Sequence, residues 1–495
     1  MSAAKKETPK TWELTGSWAG AWKIFAGIGA VGLAGAGAGY AMDPKRFAFS
    51  FLFAFVTCLT VALGAMFFVL VQRLTSAGWS VTVRRTAEFF SYGILVLIPM
   101  FAVVVLTMGH LFPWLGQHGE GHADEHGKKT EVTLSLIKDA HAQTHEAPAA
   151  AEPAAPAAAE GAAPAADHEG HGAAPAEGHA RGMRLGGNVH GGMHAAPVAA
   201  EGHGAHGDPH ALIHHEVMEA KAPYLNKSFF LIRAALYFLI WGFLATKFFD
   251  LSASQDKSKD PQLTLRAQRL APAATFLFAL SLTFAAFDWI MSLEPSWFST
   301  IFGVVIFACG VVSSYAVIIL VTLAMRKTGG PLEGAITVEH YHDLGKLMFG
   351  FLVFWAYVQF SQFMLIWYAA LPEETTWFHN RWDHAPWSTV TTFVIVGHFV
   401  VPFFWLLSRN FKRNLGRLQV GAAFLLLMHV VDMYWFVMPN VFQGKDGFSF
   451  HWLDIACLLG VGGVYCAFVF RHMTKHALVP IGDPRLQRSL HFQNA

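Results

Sequence analysis

Eight side chains combine proton-exchanging chemistry with positions in or beside long apolar runs: His342, Asp343, Lys346, Tyr357, His398, His429, Asp432 and Asp288. An ionisable group in hydrocarbon is costly unless it is paired or hydrated, so each one inside a membrane segment is a functional candidate. Helical spacing of about 100° per residue places His342, Lys346, Tyr357, Ser361 and Tyr368 within one arc, with Asp343 at its edge. Such a face can seat water and pass protons. It can equally be a hydrogen-bond seam between helices, and the spacing leaves both readings open. His429 and Asp432 are i,i+3 neighbours able to meet on one helix face, either as a relay or as a structural pair. His398 falls near the middle of another apolar run, so that with His342, His429 and Asp432 it marks a discontinuous polar route across the bundle. Asp288, just before the helix-breaking Pro295, is a candidate proton exit, a polar wall, or a hydrogen-bonded helix terminus. His110, Arg233 and Asp454 complete a polar ring at the same outer level.

The elements that must hold these residues are membrane helices. The chain has 495 residues, 54% hydrophobic and 14% charged, with a mean hydropathy of +0.38. That charge fraction is well under the quarter usual for soluble domains. About 20 apolar residues cross the hydrocarbon core, and ten stretches qualify: 21–40, 47–71, 89–112, 228–249, 270–291, 298–325, 347–371, 390–407, 420–438 and 453–470. The predicted fold class is therefore all-α integral membrane. Residues 1–20 form an N-terminal segment and 21–115 the first three spans; an insert occupies 116–221, seven spans occupy 222–471, and a tail follows at 472–495. Gly27, Gly29, Gly32, Gly35, Gly37 and Gly39 give the first span a nearly bare surface for close helix packing. That span is read as retained rather than as a cleaved signal.

Lys and Arg set the expected orientation. Lys5, Lys6 and Lys10, the expected loops with Arg84–Arg85, Lys257–Arg269, Arg326–Lys327 and Lys412–Arg417, and the tail with Arg471, Lys475, Arg485 and Arg488 gather on one side. The other side holds little beyond Lys45, Arg46, Arg381 and Lys445. Both termini are thus expected in the cytoplasm and the insert in the periplasm. The insert is rich in Ala, Pro, Gly, Glu and His, a composition expected to be largely disordered, with a short helix over Thr130–His141. It holds 15 of the 26 histidines, including His118, His122, His126, His141 and His145. Their four-residue spacing would suit a transition metal on a helix, but the surrounding glycines oppose one, and a solvated tether is the expected role.

Several functions are disfavoured. Cys58, Cys309, Cys457 and Cys466 all lie in apolar runs without C-x-x-C spacing, which argues against iron–sulfur ligation, structural zinc and attached c-type haem. His398 and His429 lie at compatible depths for a b-type haem, but Asp432 competes for His429 and no second histidine pair follows. A formal net charge of +1 gives no reason to expect nucleic acid. No phosphate loop, serine triad or zincin motif occurs in a working context.

Three motifs carry a family resemblance. The run HYHDLGKLMFGFLVFWAYVQFSQFMLIWYA (His340–Ala369) with Leu371-Pro-Glu-Glu-Thr375, the segment Asp288-Trp-Ile-Met-Ser-Leu-Glu-Pro-Ser-Trp297, and the tail Gly482-Asp-Pro-Arg-Leu486 resemble the ActF-type membrane subunit of alternative complex III, within the NrfD/PsrC-like family. The resemblance implies two four-helix bundles flanked by an extra helix at each end. It further implies membership of a bacterial inner-membrane quinol:electron-acceptor oxidoreductase. There the chain contributes a proton pathway or supports quinol oxidation by a paralogous NrfD-like subunit, while iron–sulfur and haem c subunits pass electrons to cytochrome c or a terminal oxidase. No covalently bound cofactor is implied, and menaquinol is the candidate bound molecule; no quinol-binding motif can be matched residue by residue. The His-rich insert departs from a compact family member. The competing readings are a docking subunit without chemistry of its own, in which no polar substitution alters turnover, and a stand-alone secondary transporter, which would purify without cytochrome subunits.

Overall fold

The computed structural model describes residues 12–115, 217–327, 329–383, 385–442, 447 and 450–493. The expected disorder of the insert, its helix over Thr130–His141 and its histidine sets lie outside the described residues. The described residues contain helices, turns and loops and no strand.

Among them, ten helices are long and apolar enough to cross a membrane: α1 (Ala21–Met42), α2 (Pro44–Leu74), α3 (Val81–Leu106), α4 (Lys227–Ser258), α5 (Pro261–Trp289), α6 (Phe302–Met325), α7 (Val338–Ala369), α8 (Trp387–Leu407), α9 (Leu415–Val437) and α10 (Trp452–Met473). The chain is an all-α, multi-pass membrane protein. Several helix starts follow from the sequence. Asp43 and Asp260 each precede a proline at the first helical position, and their carboxylates accept the N–H of Arg46 and Gln262, both at 2.9 Å. Asn226 caps α4 in the same way through Phe229 N–H, 2.9 Å.

Helices α2, α3, α4 and α5 close a ring of neighbours, and α6, α7, α8 and α9 close a second. The two four-helix bundles join along α2 and α6, whose backbones touch: a Cβ on Gly64 would sit 2.0 Å from the Gly310 carbonyl oxygen. Helices α1 and α10 pack on each other, and α10 lies on α2. The glycine surface of α1 meets a second one on α10, since a Cβ on Gly32 would lie 2.3 Å from the Gly460 nitrogen and one on Gly29 2.8 Å from the Val464 nitrogen. Without side chains in the way, the backbones approach closely enough for dispersion to hold two helices that lipid would otherwise solvate equally well.

The N-terminal segment and the tail meet at one end of the molecule, where Leu478 N–H donates to the Trp12 carbonyl at 2.9 Å. At this terminal end the helices run further than hydropathy indicated. Arg84 and Arg85, expected in a loop, lie inside α3 and are fully buried. Arg84 Nε donates to Glu88 (3.1 Å) and its Nη2 to Asp483 of the tail (2.7 Å); Arg85 reaches Asp256 (2.8 Å) and Glu88 (3.0 Å). These carboxylates make burial of the guanidinium groups tolerable, and two of them come from distant parts of the chain. Likewise the expected loop 257–269 is mostly helix, with the turn confined to Lys259, in the left-handed region at φ 54°, and Asp260. A further helix, Pro372–Trp382, follows α7 at the opposite, distal end and was not anticipated.

Candidate functional site

The second bundle carries a polar centre in its interior. His398 Nδ1 of α8 lies 2.7 Å from Asp432 Oδ2 of α9, both side chains wholly shielded (0% exposed). On the same carboxylate oxygen, Cys309 Sγ of α6 donates at 3.5 Å, and Trp355 of α7 donates its indole N–H to that sulfur at 3.2 Å. The Trp355 ring stacks on His398 with centroids 4.1 Å apart and planes 19° apart. All four helices of the bundle thus contribute to one cluster. One turn from Asp432, His429 reaches across to the first bundle, its Nε2 lying 3.0 Å from Thr60 Oγ1 and 3.4 Å from the Thr57 carbonyl of α2.

The local sequence explains how His398 enters the interior. Residues Ile395–Val400 form a π-helical turn within α8. Pro402 has no N–H to give the His398 carbonyl four residues back, which favours the wider five-residue spacing. Gly397 lets this segment approach α9, since a Cβ there would sit 2.9 Å from Met428 Sδ.

Among the described residues, His398 Nε2, His429 Nδ1 and Asp432 Oδ1 are buried without a hydrogen-bond partner, and His398 Nδ1 faces Asp432 at ion-pair distance without the alignment of a hydrogen bond. Buried polar atoms are rarely left so, and such open valences suit water or a migrating proton. Imidazole and carboxylate in contact can exchange one proton at little cost in net charge. The arrangement is therefore competent for proton storage and transfer. It does not present an axial haem pair, because His429 Nε2 is held by Thr60 and the Thr57 carbonyl of α2 and His398 Nδ1 faces Asp432. Among the described residues no group of three or more His, Cys, Asp or Glu side chains is placed to hold a metal ion.

Of the expected route, the structure unites His398 and Asp432 and sets His429 beside them. The partnership differs from expectation: Asp432 contacts His398 rather than its own-helix neighbour His429, because the π turn turns the α8 imidazole inward. The α7 stripe is not an internal seam. Tyr357 is 66% exposed and Tyr368 82%, both on the outer surface of the bundle; Lys346 is half-exposed and pairs with Asp343 at 2.6 Å. The inward face of α7 is instead His340, Leu344, Met348, Leu352, Trp355, Gln362 and Ile366, and Tyr357 stands about 200° from Trp355. His342 is buried at the terminal end of α7, some 13 residues, or about 20 Å, along the helix from Trp355. Asp288 belongs to the other bundle. Its carboxylate accepts Arg233 Nε (2.8 Å), Arg233 Nη2 (2.9 Å) and the Tyr237 hydroxyl (2.8 Å), a saturated clasp between α4 and α5. Asp454 makes a similar clasp at the distal end, bound to Arg46 (2.5 Å) and Ser50 (2.6 Å) of α2. Both are hydrogen-bonded helix-end locks.

The sequence reading missed Cys309, Trp355, Thr57 and Thr60. The threonines left a faint signal, an i,i+3 polar pair within the apolar middle of α2; Cys309 and Trp355 left none. It also passed over His340, whose Nδ1 lies 2.9 Å from Thr337 Oγ1 and whose Nε2 lies 3.3 Å from Ser489 Oγ of the tail.

Outside the spans, titration is shaped by burial and by guanidinium groups. Burial alone would push Asp483 up, but Arg84, the Arg485 N–H and Arg485 outweigh it and hold the carboxyl well below the usual range. Arg381, buried beneath Trp377 and paired with Glu294, is pushed down to about 10 by desolvation. His476 is lowered by burial and then by Arg85, Lys257 and Lys475. Compared with known proteins, the chain matches no family model and no curated protein.

Proposed function

We propose that this chain is an ActF-like subunit of a quinol:electron-acceptor oxidoreductase in a bacterial inner membrane, with both termini in the cytoplasm, and that its own task is to carry protons through the second bundle. The observation that carries the proton role is the wholly buried His398–Asp432 pair, 2.7 Å apart, surrounded by unpartnered polar atoms. The two bundles with flanking α1 and α10 agree with the architecture that the motif resemblance implies. Electron carriers then belong to iron–sulfur and haem c subunits, and menaquinol oxidation to a paralogous subunit.

Purification of the tagged full chain from its native membranes tests the assignment. Co-purification with haem c and iron–sulfur subunits and quinol-oxidising activity is expected; a chain that purifies alone contradicts it. His429→Ala should leave assembly intact while lowering proton translocation, and an unchanged proton stoichiometry in vesicles rejects the relay.

A further inference from the structure

Two cations gather on the indole of Trp22, which stands in the first turn of α1 at the terminal end of the molecule. Arg471, in the last turn of α10, has its guanidinium carbon 4.7 Å from the ring centroid, and Lys23 Nζ lies 6.0 Å from it. Packing brings the two helix ends level, with the Phe25 and Phe470 rings 4.9 Å apart. Lys475 follows four residues after Arg471, in a chain kept turned because its N–H donates to the His472 carbonyl at 3.1 Å.

All three cations are exposed. Among the described residues, no carboxylate lies within ion-pair distance of any of them. That sets them apart from Arg84, Arg85 and Arg413 at the same end, each of which has an acid partner. A guanidinium held over an aromatic ring keeps its edge of N–H groups free, and that fork matches the oxygens of a phosphate. The depth is right as well. Trp22 and Arg471 lie at the ends of two membrane-crossing helices, the level at which headgroups sit. From there toward the bilayer, Ile24, Ile28 and Val31 form one stripe of α1 and are 67%, 39% and 75% exposed, a surface on which an acyl chain can lie.

We propose that Arg471, Lys475 and Lys23 form a binding site for the phosphate of an anionic phospholipid whose acyl chain runs along α1. A zwitterionic headgroup brings its own cation, which these three repel, so the site selects lipid of net negative charge. It lies on the flanking helices, apart from the polar centre, and is independent of the proton role.

The test is native mass spectrometry of the full chain in a mild non-ionic detergent, titrated with dioleoylphosphatidylglycerol or dioleoylphosphatidylcholine. One saturable phosphatidylglycerol, preferred over phosphatidylcholine by about tenfold or more, is the expected result. Lys475→Gln, at an exposed position where the fold cannot depend on it, should weaken that first binding event about fivefold, and Arg471→Gln/Lys475→Gln about 25-fold. Arg266→Gln/Arg269→Gln removes the same charge from exposed positions of α5 and should leave the first binding event unaltered. A large excess of inorganic phosphate should leave the lipid bound. Equal retention of the two lipids, equal losses in the α5 and α10 variants, or displacement of the lipid by inorganic phosphate would each overturn the site, the first two by showing diffuse attraction and the third by showing a free anion as its ligand.

Discussion

The Arg233–Asp288 clasp is a structural lock, and its removal should cost stability without touching proton transfer. Asp288 is fully buried and accepts three hydrogen bonds, two of them from a guanidinium that is only 7% exposed. In Asp288→Asn the side chain keeps its shape, but a buried cation loses its counter-ion, which typically costs about 3–5 kcal/mol. Part is offset here, because Arg233 also donates to the Tyr224 carbonyl (3.0 Å) and lies 3.8 Å over the Tyr224 ring. The expected loss is therefore near the lower bound, about 3 kcal/mol. Unfolding in mixed micelles titrated with dodecyl sulfate measures it. Arg233→Leu should destabilise similarly, and the double variant Arg233→Leu/Asp288→Leu should cost clearly less than the two singles together, with a coupling of about 2 kcal/mol. Proton translocation per electron should remain unchanged in Asp288→Asn molecules that stay folded. If that variant unfolds like the parent and loses proton transfer, Asp288 is a carrier and the assignment as a lock is wrong.

Three further outcomes follow from the packing and the tail. Gly32→Leu should detach α1 from α10, because its Cβ would fall 2.3 Å from backbone; faster proteolysis of the N-terminal segment at unchanged core stability is expected. Pro402→Ala restores an N–H and should narrow the π turn, re-aiming His398 by as much as about 100°; assembly should persist while proton translocation falls. Asp483 is held below its ordinary pKa, so the stability it contributes is fully present above about pH 4 and is lost as pH falls through the lowered value. The tail should then stay protease-resistant at pH 5 in the parent chain and be cleaved already at pH 7 in Asp483→Asn.

The apolar run lengths located all ten spans, because hydrocarbon thickness imposes them directly. Helix ends at the terminal end were misjudged where charge is buried with a distant partner: Arg84 reads as solvent-facing until Asp483, 399 residues away, is known to meet it. The same limit governs the polar centre. Periodicity alone kept His429 and Asp432 on one face, but the carboxylate's actual partner depends on a one-residue register shift at the π turn, for which Pro402 is the only local sign. The α7 stripe failed for the opposite reason. An arc of polar residues has no sign, and Trp355, an aromatic with no polar periodicity, marks the inward side. Asp288 was correctly placed near a helix end, yet its locking role needed Arg233 and Tyr237 from another helix.

The central claim is that the His398–Asp432 pair carries protons. The direct measurement is the proton-to-electron ratio of the purified assembly in sealed vesicles bearing Asp432→Asn, alongside the parent chain. An assembled complex that still oxidises quinol with a clearly reduced ratio is expected. A variant complex that assembles and gives the parental ratio would contradict it.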